Sequence, residues 1–135
     1  IKWLRLTSRP YILCEPISPV NATIVIKVIE TLEADDTVLS RYHANSKYLK
    51  DEIRKKDWKL KRNDSPLVSI NVGSTLNAQK MVEYLFNNHI LVSGLCYPNT
   101  PEGESLLRFT ITASHSREQI RALIDALEEA FNVLE

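Results

Sequence analysis

Leu106-Leu107-Arg108-Phe109-Thr110-Ile111-Thr112 alternates after its first residue, with Leu107, Phe109 and Ile111 on one side and Arg108, Thr110 and Thr112 on the other. Successive side chains of an extended chain point to opposite faces, so this is a strand with one face toward a core and one toward polar surroundings. Shortly after it, Ser116-Arg117-Glu118-Gln119 has the form of a capping box. Ile120, Leu123, Ile124, Leu127, Phe131 and Leu134 then recur at helical spacing to the end of the chain. The strand therefore hands over to an amphipathic helix that covers its apolar side.

Working backward, Pro98-Asn99-Thr100-Pro101-Glu102-Gly103 reads as a turn, and Ile90 to Tyr97 as an apolar strand feeding it. Asn87-Asn88-His89 ends a helix that starts at Ser74 or Thr75 and carries Ala78, Met81, Val82, Leu85 and Phe86. Pro66 to Gly73 alternates like another half-buried strand. The order strand, helix, strand, strand, helix predicts an α+β fold: a small, mostly antiparallel sheet with helices packed on one face.

Upstream, a helix is expected from Thr37 to about Lys56, with Val38, Leu39, Tyr42, Leu49 and Ile53 as its apolar stripe. Before the acidic break at Asp35-Asp36, Ser18 can cap a helix with Pro19 in its first turn. Val20, Ile24, Val28 and Leu32 then predict a broad buried face. Pro10, Pro16 and Pro19 argue against a regular helix over the stretch from Ser8 and favour an extended linker. We expect residues 1–35 to be a linker and helix, and residues 36–135 to be the small α+β domain. Ile1-Lys2-Trp3-Leu4-Arg5-Leu6 reads as the middle of an amphipathic helix without an initiator methionine, so a fragment is expected.

Seventeen basic residues balance seventeen acidic ones among 135, which removes the global field that would draw in nucleic acid or an anionic membrane. No apolar run approaches the roughly 20 residues that span a bilayer. Cys14 and Cys96 match no metal-ligand spacing and fit free thiols in a reducing cytoplasm, with no metal site expected. Phosphate-loop, dinucleotide-loop, nucleophile-elbow and zinc-protease motifs are absent. His43, His89 and His115 have no neighbouring ligand residues, and His89 sits where a helix must stop. Arg108 is the sharper candidate. A guanidinium held on a strand can grip a carboxylate through two parallel hydrogen bonds; the plainer alternative is a charge pointing to water.

Two stretches resemble the α-oxoamine synthases, pyridoxal-phosphate (PLP) enzymes of fold type I. The first runs through Trp3-Leu4-Arg5, Ser8-Arg9-Pro10-Tyr11-Ile12 and Ile17-Ser18-Pro19 and is similar to the segment after the family's cofactor-binding lysine. The second, Val92-Ser93-Gly94, Tyr97-Pro98, Pro101-Glu102-Gly103 and Leu107 through Ile120, resembles the family's closing block; Asn45-Ser46-Lys47-Tyr48-Leu49 resembles its second helix. The resemblance implies the small C-terminal domain of a homodimeric PLP enzyme. Such an enzyme joins an amino acid to an acyl-CoA in the manner of 8-amino-7-oxononanoate synthase or 2-amino-3-ketobutyrate CoA ligase. It also implies that Arg108 binds the substrate carboxylate and that the lysine lies before Ile1. Cys14 occupies the place of a small hydroxyl residue that reaches the PLP phosphate of the neighbouring subunit. A thiol followed by Glu15 implies a weakened grip there, and a further reading keeps the family but makes the enzyme impaired or altered through these two residues. Cys96 stands where some bacterial serine palmitoyltransferases carry an extra arginine, which points away from that branch. The rival reading is a freestanding, non-catalytic α+β module that binds small ligands or mediates assembly.

Overall fold

The alternation that begins at Leu107 becomes part of the middle strand of a sheet. The computed structural model describes residues 1–13, 17–61 and 67–134. In chain order its elements are α1 (Lys2–Thr7), α2 (Arg9–Leu13), α3 (Pro19–Ala34), α4 (Thr37–Lys55), β1 (Val68–Gly73), α5 (Thr75–Asn87), β2 (Ser93–Leu95), β3 (Ser105–Phe109) and α6 (Arg117–Leu134). They fall into two compact units, Ile1–Asp36 and Thr37–Glu135.

In the second unit the strands among the described residues run in the order β1-β3-β2, antiparallel throughout. Val68, Ile70 and Val72 of β1 and Leu107 and Phe109 of β3 share one face. That face packs on Leu49 and Ile53 of α4, Ala78, Met81 and Leu85 of α5, and Ile120, Leu123, Ile124, Leu127 and Ala130 of α6. Leu49, Leu85, Leu107, Ile120 and Leu127 are among its largest wholly enclosed side chains. Removing each of these from water contributes about 1.5–3 kcal/mol. The helices thus lie on one face, as the element order predicts.

The outer edge of β1 is covered by an extended segment before it: Leu60 bridges Ile70, Lys61 N–H donates to the Ser69 carbonyl at 2.8 Å, and Asn71 N–H donates to the Lys59 carbonyl at 2.9 Å. Val68, Ser69 and Ile70 are consequently all buried, where simple alternation expects Ser69 to be exposed. β2 is shorter than the apolar run from Ile90 to Tyr97 suggests. Ile90 is consumed by the preceding helix stop, and the Cys96 carbonyl accepts from Asn99 and Thr100 in the following turn.

That helix stop is a Schellman closure. His89 N–H donates to the Phe86 carbonyl and Ile90 N–H to the Leu85 carbonyl, with Asn88 as C-cap. His89 holds φ at 62°, the left-handed region where glycine is the usual occupant. We therefore expect His89→Gly to stabilise the chain by about 0.5–1 kcal/mol and His89→Val to destabilise it by about 1 kcal/mol. Denaturant midpoints at constant slope check both, and a destabilised glycine variant would remove the strain argument.

At the starts of α5 and α6, side chains satisfy free N–H groups. Ser74 Oγ accepts from Asn77 N–H, and the capping box at α6 is reciprocal, Gln119 N–H to Ser116 Oγ and Ser116 N–H to Gln119 Oε1. The Ser116 hydroxyl also holds the Glu118 carboxyl below the ordinary glutamate range. Tyr84 on α5 donates to Glu129 on α6 at 2.9 Å, which keeps the phenol protonated to higher pH than usual.

The first unit departs from two expectations. Arg9–Leu13 is a short helix, whereas three prolines favour an extended linker over this stretch. Pro10 sits in its first turn, where an N–H has no helical partner to lose and φ is already set for a helix. The helix begun by Ser18, whose Oγ accepts from Asn21 N–H, is α3, and none of its residues is buried. Ile24, Val25, Ile26, Val28 and Ile29 are each at least half exposed. Apolar residues occupy every side of α3, so no single stripe can be covered by the short helices of its own unit.

Candidate substrate-binding face

Arg108 sits in the middle strand, flanked in register by Ser69 of β1 and Ser93 of β2. Strand neighbours in register point the same way, so these three share the face opposite the helical core. Two serines beside a guanidinium leave it laterally unhindered, where larger side chains would fold over it. Arg108 is half-buried, and its Nε is enclosed without a hydrogen-bond partner. An enclosed charged donor left unpaired is costly, so this atom is the clearest sign of an incomplete site. Among the described residues the other such atom is Ser105 Oγ, on the same strand.

The strand is held from its far end. Asn45, buried on α4, donates through Nδ2 to the Thr112 carbonyl at 3.1 Å and to the His115 carbonyl at 2.9 Å. Thr112 N–H donates to His115 Nδ1 at 2.9 Å, which places the proton of the neutral ring on Nε2. Arg117 lies over the Tyr48 ring with its guanidinium carbon 4.2 Å from the ring centre. The loop after β3 is therefore fastened to α4, and β3 cannot slide without breaking the Asn45 bonds. Sequence reasoning passed over Asn45. Its signal was a polar pair, Asn45-Ser46, placed between Tyr42 and Leu49 on the apolar stripe of a helix.

At the other end of β3 the turn is closed by Asn99 N–H to the Cys96 carbonyl at 2.8 Å and Glu104 N–H to the Pro101 carbonyl at 3.1 Å. Gly103 supplies the left-handed φ of 79° that this turn needs.

The remaining candidates are not brought to Arg108. A cleft of about 670 Å³ lies between residues 88–92, the end of β3 and α6, and both His89 and His115 line it, but Arg108 does not. His89 serves the helix stop and His115 the loop bond to Thr112. His43 is exposed, with its ring 5.5 Å from that of Tyr42. Cys96 is a free thiol packed against the core. Cys14 and Glu15 lie outside the described residues. Among the described residues no group of three or more His, Cys, Asp or Glu side chains could hold a metal ion, and no helix is long and apolar enough to cross a membrane.

The family described as aminotransferase class I and II matches residues 1–127. The 2-amino-3-ketobutyrate coenzyme A ligase of Salmonella typhimurium is 31% identical over 126 residues, covering 93% of this chain and 32% of that protein. The 8-amino-7-oxononanoate synthase of Thermoanaerobacter pseudethanolicus is 24% identical over 129 residues, covering 96% and 33%. Among solved structures, a serine palmitoyltransferase of S. paucimobilis with PLP and myriocin bound superimposes with a TM-score of 0.85 at 25% identity, over 98% of this chain and 34% of that one. The chain thus spans about a third of the length of the relatives it matches.

Proposed function

The chain belongs to the aminotransferase class I and II family, and from that we propose that it is the small-domain part of a PLP-dependent acyl-CoA:amino acid C-acyltransferase. The observation that carries the proposal is the enclosed, unpaired Nε of Arg108. An amino-acid carboxylate supplies the acceptor that this donor lacks, in the bidentate geometry that guanidinium favours. The relatives' names support the acyl-CoA half of the reading, since ligase and synthase matches span nearly all of this chain.

In this mechanism PLP, when bound, supplies an electron sink for the substrate's Cα. Arg108 would bind the carboxylate at two points and so hold the direction in which it projects from Cα; this fixes the rotation about the Cα–N bond, on which the choice of the Cα bond to be broken depends. Ser69 and Ser93 leave the approach open, and Asn45 keeps the strand in place through the loop carbonyls. By resemblance, position 14 is the one from this chain that would face the cofactor phosphate of a partner subunit, so a homodimer belongs to the proposal. So does a cytoplasmic setting. The matches fall in several branches of the family, so they support a reaction type and not one substrate pair; biotin synthesis is one of the branches proposed.

The test is release of CoA thiol by the protein carrying this chain, supplied with PLP, a short acyl-CoA and glycine, alanine or serine in turn. Release is expected to require all three components. Release without the amino acid, or none with any of the three, would count against the reading.

A further inference from the structure

The two serines in register with Arg108 are not equivalent. Ser69 lies on β1, the flank of the sheet that the extended segment covers, and it is buried. Ser93 lies on β2, the outer strand of the other flank, and it is exposed. Among the described residues the Ser93 hydroxyl has no hydrogen-bond partner. Residues directly opposite each other on antiparallel strands have Cβ atoms about 4.5–5.5 Å apart, so this hydroxyl stands beside the root of the Arg108 side chain and on its face.

The other positions on that face offer less. Two residues back along β3, Leu106 is buried and pairs with Leu95 of β2, so that side is apolar. Two residues forward, Thr110 lies beyond the last paired residue of β3, about 7 Å along the chain. Ser93 is therefore the exposed hydroxyl directly across from the guanidinium-bearing residue. A carboxylate has about four acceptor sites, and a guanidinium fork fills two of them. Water or a further donor must meet the rest. A serine hydroxyl rotates to suit its acceptor, and no acceptor among the described residues competes for this one.

We propose that the Ser93 hydroxyl is a second donor to the carboxylate that Arg108 holds, so that the substrate is gripped from two strands. The inference rests on the carboxylate reading of Arg108 and adds a positioning residue to it. A fork on one long side chain can still swing with that side chain, whereas a bond from a neighbouring strand takes up this freedom and narrows the directions in which Cα projects.

The test is calorimetric titration of the full-length protein carrying this chain, supplied with PLP and without acyl-CoA, by glycine, alanine and serine and by their carboxamides. Ser93→Ala is expected to bind the amino acid about tenfold more weakly, the worth of one hydrogen bond to a charged group, and its neutral carboxamide no more than about threefold more weakly. Ser93→Thr keeps the hydroxyl on a residue suited to a strand, and is expected to stay within about threefold of the unaltered protein. Ser93 is exposed on an edge strand and Ser93→Ala removes one oxygen, so folding is not at stake. Arg108→Leu, measured alongside, separates the two readings. Weakened binding in Arg108→Leu with unaltered binding in Ser93→Ala overturns the role of Ser93 and leaves that of Arg108. Unaltered binding in both, or no saturation of the unaltered protein by any of the three amino acids, overturns the two together. Equal losses for acid and carboxamide in Ser93→Ala, or a threonine variant as weak as the alanine one, overturns the hydroxyl as a carboxylate donor.

Discussion

Replacing Arg108 with leucine is expected to lower kcat/KM for the amino acid by roughly 30- to 5,000-fold, equivalent to the 2–5 kcal/mol lost when one partner of a desolvated charge pair is truncated. The same change should leave unfolding free energy within about 0.5 kcal/mol or raise it, because the free chain encloses an Nε that nothing satisfies. Function and stability then move apart, as they do where a site holds a group ready for an absent partner. Arg108→Lys should recover only part of the loss, since an ammonium keeps the charge but not the planar fork. The measurements are steady-state kinetics with the amino acid varied at saturating acyl-CoA, and denaturant unfolding of each variant. An Arg108→Leu enzyme with unaltered amino-acid kinetics would end the carboxylate assignment.

One residue earlier the expectation reverses. Leu107 is wholly enclosed at the centre of β3, facing the helices. Leu107→Ala leaves a cavity among residues already fixed by three helices, at a cost of about 2–5 kcal/mol. Domains of this size hold only about 5–15 kcal/mol in total, so a substantial share of the stability goes with one side chain. The melting temperature should fall by about 4–8 °C per kcal/mol, and the denaturant midpoint should drop at unchanged slope. A loss below about 1 kcal/mol would mean that β3 does not carry the core as described. Adjacent positions on one strand thus separate the two roles of the sheet, one face for packing and one for chemistry.

The core was legible because its signals are local and periodic. The alternation from Leu107 to Ile111, the Ser116–Gln119 capping box and the stripe on α6 each need only neighbouring residues to be read, and each has its predicted partner in the structure. The extended segment at Lys59–Lys61 was not legible, because it owes its conformation to pairing with β1 and its composition reads as a solvated basic loop. The helix at Arg9–Leu13 was hidden by counting prolines without asking which turn they occupy. For the site, the strand placed Arg108 on the polar face. What alternation could not convey is the unpaired Nε, or the hold that Asn45 keeps on a loop far along the chain.

The short stretch laid along β1 also bears on how molecules of this chain meet one another. An uncovered strand edge invites a second copy to add its own backbone, the first step toward fibrillar assembly. Here one flank is occupied and fringed by Lys59 and Lys61, whose like charges repel an identical neighbour, and the opposite flank offers only Ser93–Leu95. Colloidal behaviour at high concentration should therefore be governed by the apolar sides of α3 and not by the sheet.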